Sequence, residues 1–200
     1  MNTLEINYKH KIKSWEDFIK YVKKQFVNYE KLEGRDWNKY DFSIDCSEDQ
    51  MLFKDMLQIR CIEELTEATH TLDDLDHFLE EITDSLNFFM SAYCMLDYDF
   101  KNPESIFFTP IYVNNLTYDD YSRYFYLIVD DIGYLCNLLK NRPWTQSNYL
   151  VSMMDFNERL DKLWKDYWTM LWKIGLNMNK IYELFERKYE VNKWRIKTGY

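Results

Sequence analysis

Two pairs of acids, Glu64-Leu65-Thr66-Glu67 and Glu81-Ile82-Thr83-Asp84, are the side chains of this 200-residue chain best placed to do chemistry. Residues three apart on a helix share a side, so each pair can turn two carboxylates toward one ligand. In an antiparallel hairpin of two such helices, Glu64 would lie level with Asp84 and Glu67 with Glu81, because both pairs are symmetric about Asp74. Thr71-Leu72-Asp73-Asp74 places turn and N-cap chemistry at that same point. Glu64 continues the apolar line Phe53, Leu57, Cys61, Ala68, and Glu81 with Asp84 shares a face with Phe88 and Met95, so these acids are expected on the core side. Clustered carboxylates repel one another and lose water there unless a cation or protons neutralise them. All-oxygen sites suit Mg²⁺, Mn²⁺ or Ca²⁺, and Mg²⁺ commonly shares its shell with substrate phosphates. The competing reading is a solvated acidic face, which is the expectation for Glu63, Glu80, Asp73, Asp74 and Asp76.

A second row lies near the C-terminus. Lys188, Asn192 and Arg195 recur at i, i+4, i+7, which sets an ammonium, an amide and a guanidinium along one stripe of a helix. Such a row can grip a polyphosphate. A basic surface near a helix C-terminus, favoured by the macrodipole, is the alternative.

The elements that must carry these groups are helices. Gly (4) and Pro (3) are too few for the turns of an all-β fold, while the chain is 46% apolar and 18% aromatic. Ser14 caps a helix expected over 14–31, ended by Gly34. Ser47-Glu48-Asp49-Gln50 has the form of a capping box opening a helix to about residue 71. A third helix ends near Asp97, and residues 98–116, with Pro103 and Pro110, read as loop. Thr117 opens a fourth helix to about Lys140, a fifth covers 146–174 with Gly175 at its C′ position, and a sixth covers 178–196. The expected architecture is an all-α bundle of about six helices in one domain, 1–200, with a metal site on a two-helix hairpin.

Charge and cysteine usage narrow the function. With 25 Lys+Arg against 34 Asp+Glu the net charge is −9, which disfavours a face neutralising many nucleic-acid phosphates. No stretch reaches the roughly 18 apolar residues of a membrane span, and the N-terminus lacks the apolar core of a signal peptide, so a cytoplasmic protein is expected. Cys46, Cys61, Cys94 and Cys136 are widely spaced and read as reduced thiols. His10, His70 and His77 have no partner at ligand spacing, His77 being notable for lying one turn before Glu81. Trp164, Trp168, Met170 and Trp172 form a stripe expected in the core or at a dimer interface rather than stacking on a base.

Taken together, the two constellations resemble the all-α nucleoside triphosphate pyrophosphohydrolases, the group containing MazG, dCTP pyrophosphatases and the dimeric dUTPases. The ending Lys188-x-x-x-Asn192-x-x-Arg195-x-x-x-Gly199-Tyr200 is similar to the K-N-x-x-N-x-x-R-Q-x-x-G-Y motif of dimeric dUTPases and of the dCTPase-dUTPase of T-even bacteriophages. The resemblance implies that Glu64, Glu67, Glu81 and Asp84 bind Mg²⁺, with Mn²⁺ as a substitute, and form the catalytic cluster. It further implies that Lys188, Asn192, Arg195 and Tyr200 hold substrate phosphates, and that Gln25, Asn28 and Asn87 lie at the base. The implied reaction converts dUTP and/or dCTP to the monophosphate and pyrophosphate, in a homodimer, in the host cytoplasm if the chain is phage-encoded. Tyr189 stands where the motif has Asn, Ile196 where it has Gln, and Asn87 where dimeric dUTPases have His. A diphosphatase for other or modified triphosphates, and a non-catalytic helical binding module, are the alternatives.

Overall fold

In the computed structural model, residues 11–34, 47–105, 118–139 and 153–199 are described. They form an all-α bundle without a strand among the described residues. Helix α1 (Trp15–Glu33) starts where Ser14 accepts a hydrogen bond from the Asp17 amide at 3.2 Å and stops at Gly34, whose φ of 67° only glycine adopts without strain. Helix α4 (Leu75–Met95) is capped by the Asp74 carboxylate, which accepts from the His77 amide at 3.2 Å. Helix α5 (Tyr118–Leu138) packs against α6 (Met153–Lys173), and α7 (Met178–Thr198) opens with Asn177 accepting from the Lys180 amide. Between α6 and α7, Gly175 donates to the Trp172 carbonyl and Leu176 to that of Leu171, the paired bonds of a Schellman turn with glycine at C′. The expected stretches 106–117 and 146–152 lie outside the described residues.

One expected element differs. The helix predicted over 47–71 is helical throughout 47–70 but not uniformly α: α2 (Ser47–Lys54) passes through a π-helical stretch, Asp55–Cys61, into α3 (Ile62–His70). In that stretch Asp55 and Arg60, five apart, pair at 2.8 Å, the spacing a π turn brings onto one face. The third helix ends at Met95, near the expected Asp97, where the backbone turns left-handed at φ 48°.

The core is aromatic. Trp15, Phe18, Trp164, Trp168 and Phe185 interlock, mostly edge to face, with centroids 4.8–6.3 Å apart. Trp164, Trp168 and Met170 are buried, so that part of the tryptophan stripe is core, with Trp172 half-buried at its edge. A buried polar thread crosses the bundle: Cys61 Sγ lies 3.3 Å from Ser85 Oγ, which is 2.8 Å from the Tyr167 hydroxyl. Cys61 precedes Glu64 by one turn and Ser85 follows Asp84, so this thread fixes α3, α4 and α6 directly behind the acids. The Tyr121 hydroxyl, donating to the Leu65 carbonyl at 3.1 Å, ties α5 to the same turn.

Candidate functional site

Helices α3 and α4 form the expected hairpin, joined at Thr71–Asp74. Glu64, Glu81 and Asp84 each turn one carboxylate oxygen inward, and the three oxygens lie within 4.8 Å of one another. Glu81 is 8% exposed, and Glu64 and Asp84 are partly buried. The electrostatic consequence falls on Glu64. Burial, then the charge of Asp84 and the hydrogen bond and charge of Glu81, push its carboxyl up to about 8. Asp84 is also raised by burial, opposed by the Lys188 ammonium beside it. Three oxygens of this kind fit a hard divalent cation by donor chemistry: the set is all-oxygen, and its crowded negative charge is what the fold resists.

Glu67 stands apart. It is exposed and contributes no oxygen to the trio. Three residues of helix amount to a rotation of about 60° from Glu64, enough to leave the narrow seam with α4.

From α7, Lys188 reaches into the cluster, with Nζ 2.5 Å from Asp84 Oδ2 and 3.2 Å from Glu80 Oε1. Asn192, one turn on, donates to the Tyr29 hydroxyl at 3.5 Å. Arg195 is exposed, and Tyr200 lies outside the described residues. A cleft of about 430 Å³ opens beside Lys188 between the first turns of α4 and the middle of α7, lined by Asp74, His77, Glu80, Thr83 and Arg187. His77 stands at its edge with Nε2 3.0 Å from Glu81 Oε1.

Behind the acids, α1 supplies a second polar group. Gln25 is 1% exposed; its amide approaches the Tyr29 hydroxyl, but neither of its polar atoms makes a hydrogen bond of good geometry. On α4, Asn87 is 3% exposed and its Nδ2 is likewise unpaired. Asn28 is half-buried. Tyr29 stacks on Phe88 with centroids 6.0 Å apart, and the Arg60 guanidinium lies 5.7 Å from the Phe88 ring. Burial, with Asp84 and Glu64 nearby, pushes the Tyr29 hydroxyl up to about 12, so it stays a neutral donor. Two buried amides with unused hydrogen-bonding capacity, beside an aromatic pair, are costly in an apo protein unless a ligand meets them.

The sequence model of one family, described as dUTPase, matches residues 67–200, about two thirds of the chain. The chain belongs to the dUTPase family. No curated protein and no solved structure matches it. Membership supports a nucleotide diphosphatase in general and a nucleotide as substrate, and dUTPases generally use a divalent metal. Within the dUTPase match lie Glu81, Asp84, Lys188, Asn192 and Arg195, while Glu64, Gln25 and Asn28 precede it. No helix among the described residues is long and apolar enough to cross a membrane.

Sequence spacing missed four neighbours of this site. Glu80 is exposed, as a solvated acid would be, but its pairing with Lys188 has no signal in the spacing. Tyr29 and Phe88 are indistinguishable from core aromatics in a periodic pattern. Arg60, which reaches the Phe88 ring from the π stretch, carries no signal in the sequence beyond Asp55 five residues earlier.

Proposed function

We propose that the protein is a divalent-metal-dependent diphosphatase that hydrolyses dUTP and/or dCTP to the monophosphate and pyrophosphate, limiting the pyrimidine triphosphates available for replication. The supporting observation is the convergence of Glu64, Glu81 and Asp84 to within 4.8 Å, with the Lys188 ammonium beside Asp84. Those three carboxylates would hold Mg²⁺, or Mn²⁺ in its place, and Glu67 stands one turn away. Bound there, the ion would supply positive charge against the triphosphate and lower the pKa of a water. Lys188 holds phosphate oxygens, with Asn192 and Arg195 following it along α7 toward the exposed end. One carboxylate of the cluster, Glu64 or Glu67, orients or deprotonates the attacking water. Water adds to phosphorus, the bridging oxygen leaves with pyrophosphate, and no covalent enzyme intermediate is required.

Gln25 and Asn87 read the base, and the family resemblance assigns Asn28 to the same role. Their amides each offer a donor and an acceptor, matching the mixed edge of a pyrimidine. The homodimer suggested by the family resemblance belongs to the same reading and is checked by light scattering.

The deciding experiment is a panel of dUTP, dCTP, dTTP, dGTP, dATP and their ribose counterparts, scored by pyrophosphate release with Mg²⁺ and with EDTA. Turnover of dUTP or dCTP that EDTA abolishes and that falls about a thousandfold on Glu81→Gln is expected. Absence of turnover on every nucleotide by the folded protein would refute the proposal.

A further inference from the structure

Glu80 is adjacent to Glu81 in sequence but turned outward, and it pairs with Lys188 at 3.2 Å. That same ammonium lies 2.5 Å from Asp84 while its side chain is 10% exposed, so two carboxylates stand in for most of its lost water. Asp84 also belongs to the trio of converging acids. An oxygen held this closely by an ammonium is less available to a second cation, and two cations side by side repel each other.

We propose that Lys188 and a divalent cation compete for Asp84, and that Glu80 is a positioning residue that keeps Lys188 at the site when Asp84 turns to the cation. The inference rests on the metal reading of Glu64, Glu81 and Asp84. Its consequence is a coupling. A phosphate that draws Lys188 away from Asp84 strengthens the cation's hold, and by linkage the cation strengthens the lysine's availability to phosphate. Glu80 sets how readily the exchange occurs, because it gives the ammonium a second partner at the mouth of the cleft that Glu80 and Lys188 both line.

The test needs no nucleotide. Mn²⁺ alone is titrated into the full chain by calorimetry, with wild type, Lys188→Met, Glu80→Gln and the double variant, each shown to be folded by circular dichroism. Lys188→Met should bind Mn²⁺ about fivefold more tightly than wild type, because its competitor is gone. Glu80→Gln should bind about fivefold more weakly when Lys188 is present and be nearly silent in the Lys188→Met background, the non-additivity expected of a residue acting through another. Lys188→Gln replaces Lys188→Met if the latter does not fold. Unchanged or weaker Mn²⁺ binding in the lysine variants overturns the competition. An equal loss from Glu80→Gln in both backgrounds overturns the positioning role, since Glu80 would then act through its own charge. Mn²⁺ binding that survives Glu81→Gln unaltered would overturn the metal reading beneath both.

Discussion

Freed of metal, the protein should lose stability as the pH rises, and Glu64 is the reason. Its carboxyl titrates at about 8 in the fold, against an ordinary value of 4.5, because burial and then the neighbouring Asp84 and Glu81 oppose its ionisation. A group whose folded pKa lies above its unfolded one binds more protons when folded. Its contribution is therefore complete below pH 4.5, falls between 4.5 and about 8, and is gone above that. A displacement of that size, at about 1.4 kcal/mol per pH unit, corresponds to roughly 5 kcal/mol in an unscreened site. Glu64 is only half-buried and shares its titration with two other acids, so about 2 kcal/mol is the figure to expect after solvent screening. In a chain of this length that is a fall in Tm of about 4–8 °C. The assay is thermal unfolding in EDTA from pH 5 to pH 9, for wild type and for Glu64→Gln, which carries the neutral form at every pH. The wild-type Tm should fall by that amount relative to the variant, and Mg²⁺ or Mn²⁺ should restore it at pH 9 by binding only the folded state. Superimposable pH profiles for the two proteins would show that the fold does not resist this charge, and the electrostatic argument for the site would fail.

The unpaired amide of Gln25 predicts opposite effects on stability and activity. An unsatisfied buried amide destabilises by about 1–3 kcal/mol, so Gln25→Leu should raise the urea midpoint while lowering kcat/KM for dUTP or dCTP about tenfold or more. A loss of both together would mean that the amide supports the fold instead. Trp168, buried among Trp15, Phe18 and Trp164, should cost about 3–5 kcal/mol on replacement by Ala, read from urea unfolding. A change under about 1 kcal/mol would place it outside the principal core.

How far the sequence reveals the site depends on how local each geometric cause is. The level pairing of Glu64 with Asp84 follows from two short-range signals, the Asp74 cap and the symmetric spacing about it, and the structure brings both acids to the trio. The same symmetry would pair Glu67 with Glu81, yet Glu67 is exposed. Symmetry about a turn fixes height along a hairpin, whereas burial depends on azimuth, and the seam between two helices is narrower than the side that residues i and i+3 share. The π stretch at Asp55–Cys61 was illegible for a related reason: Met56, Leu57 and Cys61 are buried in either helix type. Only the pairing of Asp55 with Arg60 separates the two, and a single charged pair at that spacing occurs on many ordinary helices.

The C-terminal row shows what a helical stripe leaves undetermined. Lys188, Asn192 and Arg195 lie within about 60° of one another around α7, so the sequence treats them as equivalent. Depth along the axis separates them: Lys188 is 9% exposed against Asp84, Asn192 is half-buried against Tyr29, and Arg195 is exposed. Beyond Asn192 the described end of α7 is exposed at every position except the half-buried Ile196, so Arg195 stands on a part of the helix with little packed against it. A solvated basic face would expose all three alike. The observed gradient instead runs from a desolvated ammonium among carboxylates to a guanidinium in water, the order in which a polyphosphate would meet them if its reacting end sat at the acids and its charge ran outward. That ordering, more than the identity of any one cation, ties the row on α7 to the trio on the hairpin.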